Sequence, residues 1–302
     1  MTRRIALACT LAASLFAGSA LAEGLEKGTL VFVATVAGNW DLFVLRAGES
    51  APVRLTETPL DERAPALSAD GRRVAYATSD GALWVRDLAD AASVRLELPP
   101  GIYGSPSWMP DGSGIVYTSY EYRPPHEDAD FFSYSFATGK TTPFLRQTGP
   151  QDFASLSPAA DRVAYMSSLA TTVHGFGSTV NQQLWLLSLR SGEPQQLFLG
   201  TSRLTRPAWS PDGKALAVAS DRSGSTEIWI VDPDARKEPV RLTGGPGGKF
   251  TPTWSPDGSE IACISTASGR SELTIINVKT KAARRLQLFK SEEVEIREPH
   301  WR

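Results

Sequence analysis

The chain has 302 residues, a formal net charge of −2 and two cysteines. That near-neutral balance argues against a general nucleic-acid binder, which carries a basic stripe or patch. No stretch is long and apolar enough for a spanning helix, while eight Trp and twelve Phe suit a chain that buries a large core.

Met1–Ala22 reads as a secretory leader. Arg3 and Arg4 precede the apolar run Ile5–Phe16, and Ala20-Leu21-Ala22 supplies a small-x-small cleavage pattern. The Arg pair alone is an incomplete twin-arginine signal, so ordinary secretion is expected. Cleavage would leave residues 23–302 with a net charge of −4 and Cys263 as the sole thiol, which rules out an intramolecular disulfide. Cys263 lies in an alternating strand beside Ile261 and Ile264 and is expected to be buried and inert.

From Leu30 onward one pattern repeats. The first unit reads LVFVAT, LFVLR and VRLT, three strands without a leading one. The second begins APALSADG at Ala64 and the third SPSWMPDG at Ser105. A weaker fourth begins FASLSPAA at Phe153. The fifth, RPAWSPDGKALAVASDRSGSTEIWIVD, runs from Arg206 to Asp232, and the sixth, beginning TPTWSPDG, starts at Thr251. Each full copy has a short segment ending in Trp or Leu, a tight turn, two alternating runs and a short basic-apolar strand. That is four strands of period two. In the Pro-Asp-Gly turns, Pro presets the first turn position and Gly accepts positive φ. The Asp there is expected to bond local amides rather than form a ring of functional carboxylates.

The markers Leu67, Trp108, Leu156, Trp209, Trp254 and Trp301 are 41 to 53 residues apart, the period of a propeller blade. The chain ends REPHWR, a leading strand with nothing after it, and the first unit lacks just that strand. The expectation is therefore an all-β protein: a six-bladed β-propeller of four-stranded antiparallel blades, closed by the C-terminal strand completing the first blade. The domains are a leader at 1–22 and one propeller at 23–302.

The WSPDG motifs at Trp209 and Trp254, the ASDRSGSTEIWIVD run at Ala219–Asp232 and VRLT at Val240 resemble the repeats of the TolB family. The similarity spans Leu30 to Trp301. It implies a six-bladed exported propeller and, by analogy with TolB, protein docking in the Tol–Pal envelope system. Similar repeats also occur in propellers attached to serine peptidases and in some sugar lyases. TolB carries an α/β domain before its propeller, whereas only Glu23–Thr29 separates the leader from the first strand here. A TolA-type contact does not carry over. A Pal-like partner is what the resemblance implies, with no residue-by-residue match.

Chemistry-bearing motifs are sparse. There is no Gly-x-Ser-x-Gly elbow, no Gly-Lys-Ser/Thr phosphate loop and no His-Glu-x-x-His. No cofactor is expected, nor catalysis. His126 and Asp128, with His174, are weak metal-ligand candidates by residue type alone. His300 is expected to pack near the central channel.

Because strand direction alternates, the loops between second and third strands share one face with the blade-to-blade connections. Two of those loops are long, Tyr120–Asp130 and Leu169–Gln183, in adjacent blades. Long loops on a rigid repeat scaffold are often binding sites, and Tyr120, Tyr122, Arg123, His126, Phe176 and Asn181 form a mixed aromatic and polar patch. The connections add Glu62, Arg63, Tyr103, Asp152, Arg206, Lys249, Arg297 and Glu298 around the channel mouth. The expected function is a non-enzymatic, monomeric, periplasmic scaffold that docks an envelope protein or peptide. The alternatives are a secreted protein, an envelope enzyme or carbohydrate- or metal-binding propeller using those two loops, or a purely structural module.

Overall fold

The computed structural model describes residues 25–302 apart from 37, 124–125, 148, 170–180, 199–205 and 292, with backbone alone described at 121–123, 126–128, 168–169, 181–182 and 198. The described residues form six four-stranded antiparallel sheets. Blade 1 consists of Ile296–Trp301, Thr29–Val36, Asn39–Arg46 and Val53–Arg54, from the innermost strand outward. Blade 2 is Glu62–Leu67, Arg73–Thr78, Leu83–Asp87 and Ser93–Arg95. Blade 3 is Ile102–Trp108, Gly114–Arg123, His126–Ser135 and Lys140–Leu145. Blade 4 is Gln151–Leu156, Arg162–Leu169, Asn181–Ser188 and Pro194–Phe198. Blade 5 is Ala208–Trp209, Leu216–Ser220, Glu227–Val231 and Val240–Arg241, and blade 6 is Lys249–Trp254, Glu260–Ser265, Glu272–Asn277 and Ala283–Arg285.

The ring closes as the two chain ends require. Ile296–Trp301 pairs antiparallel with Thr29–Val36, Leu30 opposite Trp301 and Ala34 opposite Ile296. The Arg302 N–H donates to the Thr29 carbonyl at 2.9 Å, and the Thr29 N–H returns the bond. Closure pairs an edge that would otherwise expose unpaired backbone. No helix of the described residues is long and apolar enough to cross a membrane.

The core lies between blades, not within them. Alternation sends every second side chain of a strand to one face of its sheet, and those faces meet in six apolar clusters among the described residues. Blades 6 and 1 share Phe32, Phe43, Ile264, Leu273 and the fully buried Trp301. Cys263 is wholly buried between blades 5 and 6, and burial pushes its thiol pKa up to about 12. A protonated buried thiol is unreactive, in line with the reading from sequence.

Blades 3 and 4 correct the expected loops. Gly114–Arg123 and His126–Ser135 pair continuously to Arg123 opposite His126, so most of Tyr120–Asp130 is hairpin ladder. Arg162–Leu169 and Asn181–Ser188 pair to Leu169 opposite Asn181, so only residues 170–180 remain of the second stretch. The alternation of Ser119, Glu121 and Arg123 with Tyr120 and Tyr122 is a period-two pattern that extends the strand past the blade.

Candidate docking site at the channel mouth

One backbone device shapes the channel. Ala64, Ser105, Phe153, Thr251 and Glu298 hold φ between +47° and +57°, and each stands immediately before Pro or Ala in its blade's innermost strand. In each of these blades the register with the second strand slips by one residue at that point. This is a β-bulge, an extra residue that bends the strand and re-aims its side chain. Non-Gly residues rarely adopt positive φ, so recurrence at equivalent positions marks a repeated construction. Pro65, Pro106, Pro252 and Pro299 follow the bulge, where a missing N–H costs no ladder bond.

Arg206 stands at the equivalent position of blade 5. Its guanidinium crosses the channel and donates from Nη1 to the Pro65 carbonyl (3.3 Å) and from Nη2 to the Pro106 carbonyl (3.5 Å), on blades 2 and 3. Burial lowers the Arg206 pKa, and the carboxylates of Glu298 and Asp152 and the Tyr120 phenol oppose that shift. The side chain stays cationic, because guanidinium does not deprotonate in proteins. The cavity beyond it measures only about 40 Å³, too little for a sugar ring or a peptide side chain.

On the mouth side Asp152 is anchored by Thr118 Oγ1 and by the Tyr120 hydroxyl, both donating at 2.9 Å. The Tyr120 phenol is pushed upward by burial first and by Asp152 second. Gly104 lets the Tyr120 ring lie over the strand, since a Cβ there would stand 3.0 Å from the ring. Glu298 accepts from the Ala64 N–H at 2.5 Å. Arg63 and Arg297 are exposed at the rim, the latter 4.2 Å over the Trp40 ring. The fold thus gathers Tyr120, Asp152, Arg206 and Glu298 from four blades around one opening, with Arg63 and Arg297 beside it.

Three rim expectations fail. Glu62 is fully buried and accepts from Thr56 and Thr58 at 2.8 Å, its pKa raised by burial. Lys249 is buried, its ammonium held by the Pro246 and Gly247 carbonyls. Tyr103 donates to the Pro99 carbonyl. All three stand one residue before the rim position, so strand alternation turns them to the other face. Phe176 and His174 lie outside the described residues, as do the side chains of Tyr122, Arg123, His126, Asp128 and Asn181. Among the described residues no cluster of three His, Cys, Asp or Glu could hold a metal.

The remaining motif residues are structural. Asp70, Asp111, Asp212 and Asp257 accept local N–H bonds at 3.0–3.1 Å within their turns. His300 lines the channel, and its Nδ1 accepts the Leu67 N–H at 3.1 Å. One feature escaped the sequence reading: an acid in the third strand that reaches a basic residue in or just after the outer strand. Asp41–Arg54 (2.6 Å), Asp130–Arg146 (3.7 Å) and Glu272–Arg285 (2.9 Å) are examples. Its signal is visible in hindsight, since Asp41, Asp130, Glu227 and Glu272 each directly precede a large apolar residue of that strand.

Comparisons with known proteins agree with this fold. Residues 153–301 match the family model of the TolB beta propeller domain. The fold is a TolB-type β-propeller. The crystal structure of TolB from Acinetobacter baumannii superposes with a TM-score of 0.74 at 21% identity, covering 91% of this chain and 66% of that one. The Tol-Pal system protein TolB of Bordetella pertussis is 28% identical over 167 residues, 54% of this chain and 35% of that protein. An uncharacterized peptidase, YuxL of Bacillus subtilis, is 33% identical over 108 residues, 35% of this chain and 15% of that protein. The chain thus spans about a third or less of the length of these curated relatives. An oligogalacturonate lyase in complex with manganese shares the fold, with a TM-score of 0.61 at 19% identity over 88% of this chain and 75% of that one.

Proposed function

We propose that this TolB-type propeller is an exported, non-enzymatic docking module of the periplasm that binds an envelope protein or peptide on the face carrying the channel mouth. The observation that carries the reading is the obstructed channel. Arg206 bridges to the opposite blades and leaves only about 40 Å³ of the channel beyond it, while Tyr120, Asp152, Arg206 and Glu298 present both charge signs and an aromatic at the rim. Aromatic and Arg residues on a rigid ring are typical interface anchors, and mixed charge favours a polar protein surface over lipid. The similarity to Tol-Pal system proteins supports a partner of that system, of the Pal type, and Met1–Ala22 supports export.

The test is capture from crosslinked cell envelopes with the purified chain and with a Tyr120→Ala/Asp152→Ala variant shown to fold. A protein retained by the first and lost or reduced at least tenfold by the second is the expected result. Equal capture by both would refute docking at the mouth. The similarity to an uncharacterized peptidase keeps an enzymatic reading in view. Turnover of a peptide or oligosaccharide substrate, abolished by one substitution on this face, would establish it instead.

A further inference from the structure

The channel beyond Arg206 carries a second feature, which shares that one residue with the mouth. Its wall is built from all six blades and includes Arg206, His300 and Arg302, with no Asp or Glu among the lining residues. The residue before the Trp or Leu marker of each inner strand faces it. Ser107, Ser155, Thr253 and His300 are the polar ones, and Ala66 and Ala208 fill the other two positions.

Several donor hydrogens on this wall have no acceptor among the described residues. His300 Nδ1 accepts the Leu67 N–H, so the ring is neutral and its proton sits on Nε2. Nε2–H has no protein acceptor among the described residues. The Thr253 hydroxyl oxygen accepts the Trp301 N–H at 3.0 Å, which leaves its own hydrogen to donate elsewhere. Arg206 uses two of its five N–H groups, at 3.3 and 3.5 Å, on carbonyl oxygens. Its opposing carboxylates, Asp152 and Glu298, are not part of the cavity wall. A cavity of about 40 Å³ holds a monatomic anion or a few waters, and is too small for sulfate with its hydration.

We propose that this cavity is a binding site for a small monovalent anion, chloride in class. Arg206 and His300 Nε2–H are its principal donors, and the Thr253 hydroxyl completes the set. The anion would neutralise Arg206 from the side opposite its carboxylates. It would also tie the closing strand, through His300, to blade 5. A ligand that binds only the folded ring stabilises it by mass action.

The test uses the purified chain in sodium chloride, sodium bromide and sodium gluconate at one ionic strength. The unfolding midpoint is expected to rise saturably with chloride or bromide and to stay flat in gluconate. Arg206→Gln should remove that increment. Bromide-soaked crystals should show an anomalous peak between Arg206 and His300. Equal midpoints in chloride and gluconate, or an increment that survives Arg206→Gln, would overturn the site. If Arg206→Gln does not fold, the native crystal decides: a peak in the cavity supports the proposal and an empty cavity sinks it. None of these readouts involves a docked partner, so the fate of the docking proposal leaves them unchanged.

Discussion

His300 shows how one residue can look functional and serve the ring. Thr253 of blade 6 accepts the Trp301 N–H of blade 1, and His300 of blade 1 accepts the Leu67 N–H of blade 2 in the same geometry. Imidazole replaces hydroxyl as the acceptor. Burial, then Arg302 and Arg206, hold its pKa well below 6.5. Between that folded value and 6.5 the unfolded chain binds a proton that the native ring refuses. Stability conferred by neutral His300 is therefore full above pH 6.5 and falls as pH drops, by up to about 1.4 kcal/mol per pH unit. Urea unfolding at pH 7.5 and 5.5 should show a loss in the native chain that is smaller in His300→Gln. An equal loss in both would assign the pH dependence to other groups.

At the scale of the strand, the inner Trp residues work as polar staples as well as core. Trp108, Trp209 and Trp254 donate Nε1–H to Ala66, Ser155 and Ala208 of the preceding blade at 2.8–3.0 Å. Arg73 and Arg162 of the preceding blades stack on Trp108 and Trp209 at 4.5 and 5.0 Å. Where the marker is Leu, other bonds join the blades. Leu67 and Ala64 are held by His300 and Glu298, and blade 4, with Leu156, is joined to blade 3 through Asp152, Thr118 and Tyr120. Three mouth residues, Tyr120, Asp152 and Glu298, are thus also junction residues. Trp185, by contrast, has no acceptor for its buried indole N–H among the described residues. Trp209→Phe should therefore cost about 1 kcal/mol more than Trp185→Phe in chemical unfolding, the difference being one hydrogen bond and its orphaned carbonyl.

For the whole molecule, stability rests on closure. Trp301 is buried in the cluster that joins blades 6 and 1, and its Nε1–H donates to the Lys27 carbonyl at 2.8 Å. Lys27 in turn reaches Asp257 of blade 6 at 2.7 Å. Removing residues 297–302 deletes a buried Trp, typically worth about 3–5 kcal/mol, and frees the edge of Thr29–Val36. The sum approaches the whole stability of an ordinary domain, about 5–15 kcal/mol. The truncated chain should lose its cooperative thermal transition or aggregate. A midpoint within a few degrees of the intact chain would show that the ring does not depend on this strand.

The sequence by itself determined the architecture. Six copies of a period-two pattern, tight Pro-Asp-Gly turns and matching surplus and deficit at the two ends admit one closed arrangement, because side-chain alternation and turn chemistry are local properties. It also placed His300 at the channel and gave the turn Asp residues their local bonds. The site was legible only in part. Arg63, Asp152, Arg206 and Arg297 follow from the repeat, but Glu62, Tyr103 and Lys249 sit one residue earlier and face inward, and Tyr120 belongs to a strand. Only the tertiary structure decided that Arg206 spans the channel to Pro65 and Pro106. The reason is physical: a one-residue bulge re-aims every side chain beside it, and a bond across the ring joins residues 100 or more positions apart, beyond the reach of any local pattern.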